Sequence, residues 1–220
     1  MKNLFVAMLL GSLLACSSNP RVAESAATEG EAIGLYPVTG LQQFGTAYVK
    51  SEDVFKGYSQ LYFAPLDLDS IEIDTSRLER KDRSWEDPTD EDKETVKHYF
   101  TDELAKYFSG STKLPLAGAP GENALEVAVV LTRYKPNSPR DSTSGRPSNT
   151  YYFSEGPGRL YMATFVRDSV SGELLGYFED DRELGKTWQE DSRINNARRF
   201  KMGLYTWIQR LDNAVFDMQN

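Results

Sequence analysis

Cysteine and histidine are almost missing from this chain, which has one of each in 220 residues. A single cysteine excludes an intramolecular disulfide framework and any zinc module built on paired cysteines. With His98 alone, a Ser-His-Asp triad, an HExxH zinc motif and a multi-histidine metal centre each fail on inventory or spacing. Positive charge is also short: 25 basic side chains stand against 33 acidic ones, for a net charge of -8. Phosphate backbones repel such a surface, so broad nucleic-acid binding is excluded. No apolar run reaches the roughly 20 residues a membrane-spanning helix needs. A Gly-rich phosphate loop is absent as well, because Glu155, Gly156, Pro157 and Gly158 form a turn without the strand-to-helix setting of that motif. What is present, 40% hydrophobic and 12% aromatic residues, is too much for a disordered chain and suits one domain with a sizeable core.

The N-terminus carries the strongest pattern. Lys2 precedes an apolar run over residues 4–14, broken only by Gly11 and Ser12. Its length and flanks are those of a secretory signal peptide, residues 1–15. The run ends in Leu13, Leu14, Ala15 and Cys16, which resembles the bacterial lipobox, where cleavage precedes a cysteine bearing diacylglycerol. Cys16 is therefore expected to be the lipid attachment site. The three acyl chains of a mature bacterial lipoprotein exceed the two signals that stable anchoring takes. Ser17 follows the cysteine, with no Asp there to signal inner-membrane retention, so the resemblance implies the periplasmic face of the outer membrane.

Past the anchor, residues 16–33 are rich in Ser, Ala and Glu and read as a flexible tether. Residues 34–57 scatter Leu35, Tyr36, Val38, Leu41, Phe44, Tyr48 and Val49 between glycines and are expected to form an irregular lead-in. A single α+β domain is expected over residues 58–220. It opens strand-like at Leu61, Phe63 and Leu66, then Ile71 and Ile73 among acids. Thr89, followed by Asp90, Glu91 and Asp92, is an N-cap signal with acids where the helix dipole favours them. The apolar positions Val96, Tyr99, Phe100, Leu104, Tyr107 and Phe108 carry that helix to Gly110. Leu125, Val127, Val129 and Leu131 mark a well-buried strand, and residues 160–166 and 174–178 a hairpin turned through residues 168–173. Ala197, Phe200, Leu204, Trp207, Leu211, Ala214 and Met218 form the cleanest helical stripe. The order β-α-β-β-β-α predicts a mainly antiparallel sheet with two helices packed on one face. Arg198, Arg199, Lys201 and Arg210 lie off the last stripe, and acids load the first helix, so the two helices are expected to sit side by side with opposite charges on their rims.

Residues 137–158 would make an unusually long loop, containing Pro139, Pro147 and Pro157. Its cluster Tyr151, Tyr152 and Phe153 is expected either to cover an edge of the core or to present an exposed contact for a partner or ligand. Glu179, Asp180, Asp181 and Glu183 have oxygen ligands for a hard cation but neither EF-hand spacing nor its Gly, so they are expected to be a solvated acidic edge with no metal. Asp67, Asp69, Glu72 and Asp74 are expected on the wet side of a strand, and His98 as a half-exposed helix residue. No pair of acids is singled out for glycoside hydrolysis. No catalytic residue and no cofactor is expected.

Several segments together resemble one family. They are Tyr58, Ser59, Gln60 and Leu61, the Asp-rich helix ending at Phe108, the turn at residues 121–125, and above all Arg167, Asp168, Ser169, Val170, Ser171, Gly172, Glu173, Leu174 and Leu175. The likeness continues through Asp180, Asp181 and Arg182 to the last helix with Trp207 and Leu211. The family is a bacterial lipoprotein family, domain of unknown function 3313. The resemblance implies an envelope lipoprotein and brings no catalytic residues. The expected function is a noncatalytic accessory or interaction protein, held to the membrane by its N-terminal lipid and contacting an envelope protein. The other readings are a carrier or sensor of a small envelope ligand, lipid or glycan, and a carboxylate-dependent cell-wall hydrolase.

Overall fold

A computed structural model describes residues 21–22, 34–41, 43–78, 87–110, 112–137 and 153–219. In chain order the elements are β1 (Arg21–Val22), β2 (Tyr36–Thr39), β3 (Thr46–Val49), β4 (Gln60–Phe63), β5 (Glu72–Ile73), a 3-10 turn (Thr75–Arg77), α1 (Asp90–Phe108), β6 (Ala124–Pro136), β7 (Phe153–Ser154), β8 (Gly158–Asp168), β9 (Leu174–Glu183), β10 (Gln189–Glu190) and α2 (Arg193–Asp217).

Local chemistry explains where the helices begin. The Thr89 side chain accepts from the Asp92 backbone N–H while the Asp92 carboxylate accepts from that of Thr89, closing a capping box at the head of α1. Ser192 does the simpler job for α2, accepting from the Asn195 backbone N–H. At the β8–β9 turn, Gly172 takes a φ of 74° as the turn requires. The Asp168 carboxylate there accepts from the Val170 and Ser171 backbone N–H groups and from the Tyr58 hydroxyl. Those bonds hold its carboxyl down at about 2, while burial and that same carboxylate push the Tyr58 phenol up to about 12.

The strands form one mixed, mostly antiparallel sheet in the order β1-β2-β3-β9-β8-β6-β4, with β5 also on β6. The parallel pairs are β4 and β5 against β6, joined through α1, because a parallel neighbour needs a long crossover. The expected α+β class and the two helices on one face hold. The lead-in does not stay irregular: β2 and β3 lie within it, β3 pairs with β9 from Thr46 opposite Glu179 to Val49 opposite Gly176, and Val49 and Phe55 are fully buried. Four-residue strands between glycines are too short to show an alternation, and their partner lies some 130 residues downstream. Arg21 and Val22, inside the segment expected to be a tether, pair with Thr39 and Val38.

Strand alternation sorts the two sheet faces. Leu125, Val127, Val129 and Leu131 of β6, Leu160, Met162 and Val166 of β8, and Phe178 of β9 pack with Phe100, Leu104 and Tyr107 of α1 and Leu204, Trp207, Ile208, Leu211 and Val215 of α2. Fully burying each such side chain contributes about 1.5–3 kcal/mol. The opposite face holds a smaller cluster of Leu35, Ala163 and Tyr177, flanked by Tyr48, Phe165 and Leu174. The expected charge pairing between helices reduces to Asp102 with Lys201 at 2.9 Å. Arg210 turns instead to Asp180 on the sheet.

One buried carboxylate ties the helical layer together. Asp212 of α2, wholly shielded from solvent, accepts from the Tyr107 hydroxyl at 2.7 Å and from the Lys113 and Leu114 backbone N–H groups at 2.9 and 3.0 Å. It thus joins α2 to the end of α1 and the segment beyond. Burial and that carboxylate hold the Tyr107 phenol well above its usual range.

Candidate interaction surface

Cys16, Tyr151 and Tyr152 lie outside the described residues. Phe153 is described, and its ring stands away from the core with 60% of its surface exposed. It belongs to β7, which pairs with β10 in a separate two-stranded ribbon, Phe153 opposite Glu190 and Ser154 opposite Gln189. Of the two expectations for the aromatic cluster, core cover does not apply to Phe153.

The ribbon exists because two chain segments cross at glycines. A Cβ on Gly156 would lie 2.8 Å from the Gly185 Cα, and one on Gly185 would lie 2.2 Å from the Glu155 carbonyl oxygen. Only glycines allow that approach. Beyond the crossing, buried Arg199 reaches from α2 to donate to the Thr187 carbonyl at 2.7 Å, and Arg198 donates to the Gln189 side chain. These bonds hold the segment that carries Trp188, which is 68% exposed. Trp188 immediately precedes β10, two residues before Glu190, the partner of Phe153. On α2, Ile194 and Met202 are 81% and 64% exposed. They flank Arg198 at steps of four, which places all three along one outward stripe. The Asn195 side chain donates to the Glu190 carbonyl and ties the ribbon to the start of α2, where the exposed Phe153, Trp188, Ile194 and Met202 make an apolar rim. Sequence reading missed Trp188, whose exposure follows from the neighbours that the fold gives it.

The acidic row of β9 is engaged in structural pairing. Asp180, its side chain nearly buried, meets Arg210 at 2.9 Å; burial nevertheless raises its carboxyl above the usual range. Asp181 pairs with Arg159 at 2.9 Å. Glu183 takes Arg159 at 2.7 Å and Arg77 at 2.8 Å. Burial works against the Glu183 carboxylate, but its bonds from Arg159, Asn137 and Arg77 win and pull it below the usual range. Among the described residues no group of three or more His, Cys, Asp or Glu could hold a metal ion. The Asp67 to Asp74 acids also divide: Glu72 pairs with Arg133, and Asp74 with Lys135 while capping the 3-10 turn. His98 stands in solvent on α1, 3.6 Å from Asp102. No helix among the described residues is long and apolar enough to cross a membrane.

A family model described as "Protein of unknown function (DUF3313)" matches residues 38–211. The chain belongs to this family. The match begins at Val38 in β2, so the family unit includes the strands of the lead-in. No curated protein matches the chain. Among solved structures it is similar to the protein XCC0632 from Xanthomonas campestris, a DUF330 protein, at 12% identity and a TM-score of 0.41, covering 74% of this chain and 88% of that one. It is also similar to the PelC dodecamer from Paraburkholderia phytofirmans, at 10% identity and a TM-score of 0.32, covering 72% and 89%. The hypothetical protein CT253 from Chlamydia trachomatis follows at 12% identity and 0.31, covering 71% and 93%. Likeness at this level carries no functional argument.

Proposed function

We propose that this protein is a noncatalytic, lipid-anchored envelope lipoprotein that acts as an accessory or interaction protein at the periplasmic face of the outer membrane. The anchor reading rests on the charged, apolar and small-residue order in front of Cys16. The interaction reading rests on one observation, the exposed rings of Phe153, on a ribbon separate from the main sheet, and of Trp188, directly before that ribbon's second strand. Large aromatic surface left in water on an otherwise well-buried domain marks a contact site. The noncatalytic reading is supported by the engagement of Asp168, Asp180, Glu183 and Asp212 in bonds that hold turns, strands and helices together.

Two measurements test the proposal. Metabolic labelling with palmitate should mark the protein and should be abolished by Cys16→Ala; persistent labelling defeats the anchor assignment. In-cell photocrosslinking from position 153 should capture an envelope component. Absence of any adduct there, in a protein that is folded and labelled, defeats the interaction assignment.

A further inference from the structure

We infer that the apolar rim is a bilayer-docking surface, and that its occupant is the anionic phospholipid headgroup layer of the membrane that holds the lipid. This inference rests on the lipid-anchor reading and names the contact of the same rim. Three observations converge on it.

The first is where the chain leaves the fold. Arg21 pairs with Thr39, level with the middle of the long strands, and the chain enters β1 from the side away from the β8–β9 hairpin. Through β3 that level corresponds to Thr46 opposite Glu179, and β9 runs on in the same direction to Glu183, opposite Arg159. β7 leads into β8 beside Glu183, at Gly158, and β10 and the start of α2 follow β9 beyond it. The rim therefore lies on the side of the sheet from which the chain enters β1. Only four residues lie between Cys16 and Arg21, five steps of chain that span at most about 18 Å. The lateral offset from β1 to β9 is three strand spacings, about 14 Å, and Glu183 lies four residues, about 13 Å, further along β9. A lipid inserted in the bilayer thus keeps the sheet near the headgroups, and the direction of β1 favours the Glu183 side over the hairpin at Gly172.

The second is the chemistry of the rim. Trp and Phe favour the membrane–water boundary, where an apolar ring and the polar headgroup region meet, and Ile and Met add apolar surface. Phe153, Trp188, Ile194 and Met202 supply that set, all majority-exposed.

The third is charge. Residues 186–202 carry five basic and two acidic side chains in a chain whose net charge is -8. Of the basic ones, Arg193 and Arg198 are exposed next to the apolar groups. Juxtaposed basic and apolar side chains are drawn to anionic lipid, while the acidic remainder of the surface is repelled by it. The orientation is thereby set: the hairpin turn at residues 168–173 and the far end of α2 point away from the membrane.

Fluorescence of the lipidated full chain decides this. The chain has three tryptophans, so a Trp85→Phe background leaves exposed Trp188 and fully buried Trp207. The protein is reconstituted in vesicles of phosphatidylethanolamine and phosphatidylglycerol whose acyl chains carry bromine near the glycerol end. Trp188 emission should fall by about half, since rim side chains reach the headgroup–acyl boundary. Trp188→Phe should remove the quenching, and Arg193→Glu with Arg198→Glu should restore most of the emission. Vesicle-bound, Cys16-lipidated protein with unquenched Trp188 overturns the docking surface and leaves the anchor standing. Protein without lipid on Cys16 defeats the anchor; the same quenching, measured on that protein added to the vesicles from solution, then decides the surface alone. A photocrosslinker at position 188 that captures one defined protein in place of phospholipid also overturns it.

Discussion

The two halves of α2 are one continuous helix with opposite fates. From Leu204 onward, Leu204, Trp207, Ile208, Leu211, Ala214 and Val215 are closed off completely between α1 and the sheet. Before Gly203, only Arg199 is buried, and Ile194 and Met202 stand in water. The sheet sets the boundary. Gly203 packs against Leu184, one residue past the end of β9, so the helix upstream of it extends beyond the strands and is covered only in part, by the segment that carries Thr187. The Phe200 ring still reaches the Tyr134 ring near the end of β6, at 6.2 Å. Helix formation needs only local bonds and a cap, whereas burial needs a partner, and here the cap lies about two turns ahead of the last partner.

That contrast can be broken at either end. Trp207→Ala should cost about 3–5 kcal/mol in urea denaturation, because it leaves a cavity in the best-packed half; an unshifted midpoint would remove this half from the core. Asp212→Ala should cost about 2–3 kcal/mol, since the Tyr107 hydroxyl and two backbone N–H groups lose their acceptor inside the protein. Asp212→Asn, which keeps one acceptor oxygen, should recover part of that loss in the same measurement. A smaller effect is expected on acidification. The Asp168 carboxyl is held at about 2 in the fold and titrates near 3.9 in an unfolded chain. Its stabilisation is present above that unfolded value and lost as pH falls through the folded one, and Glu183 is shifted in the same direction. Thermal midpoints should therefore drop between about pH 4 and pH 2, and Asp168→Asn should flatten the drop. Ile194→Ser, in the overhanging half, should move the urea midpoint by less than about 0.5 kcal/mol. A cost near that of Trp207→Ala would mean that Ile194 is covered.

Much of the fold was legible because its signals are local or periodic. Thr89 with Asp92 announced α1, the alternation from Leu125 to Leu131 announced β6, and Asp168 to Gly172 announced the hairpin turn. The stripe through Leu204, Trp207 and Leu211 announced the buried half of α2. The parallel pairing of β4 with β6 had no such sign, since a strand's pattern records which side is buried and not which neighbour runs beside it. β2 and β3 were hidden for a related reason: each is four residues long, and β9 gives them their place. The candidate surface was half legible. Phe153 stood out by composition, but Trp188 joined it only through the pairing of β7 with β10 and the glycine crossing at Gly156 and Gly185.

By itself, the amino-acid sequence determined the helix starts, the buried stripes and the hairpin turn, because each depends on side chains within a few residues of one another. It also excluded disulfide, histidine-metal and triad chemistry by inventory. Tertiary structure alone decided that the lead-in completes the sheet, that Asp212 is a buried acceptor joining the helices, and that Phe153, Trp188, Ile194 and Met202 share one end of the fold. Those outcomes depend on which distant segments meet, and exposure is a property of the neighbours a side chain finds rather than of the side chain itself.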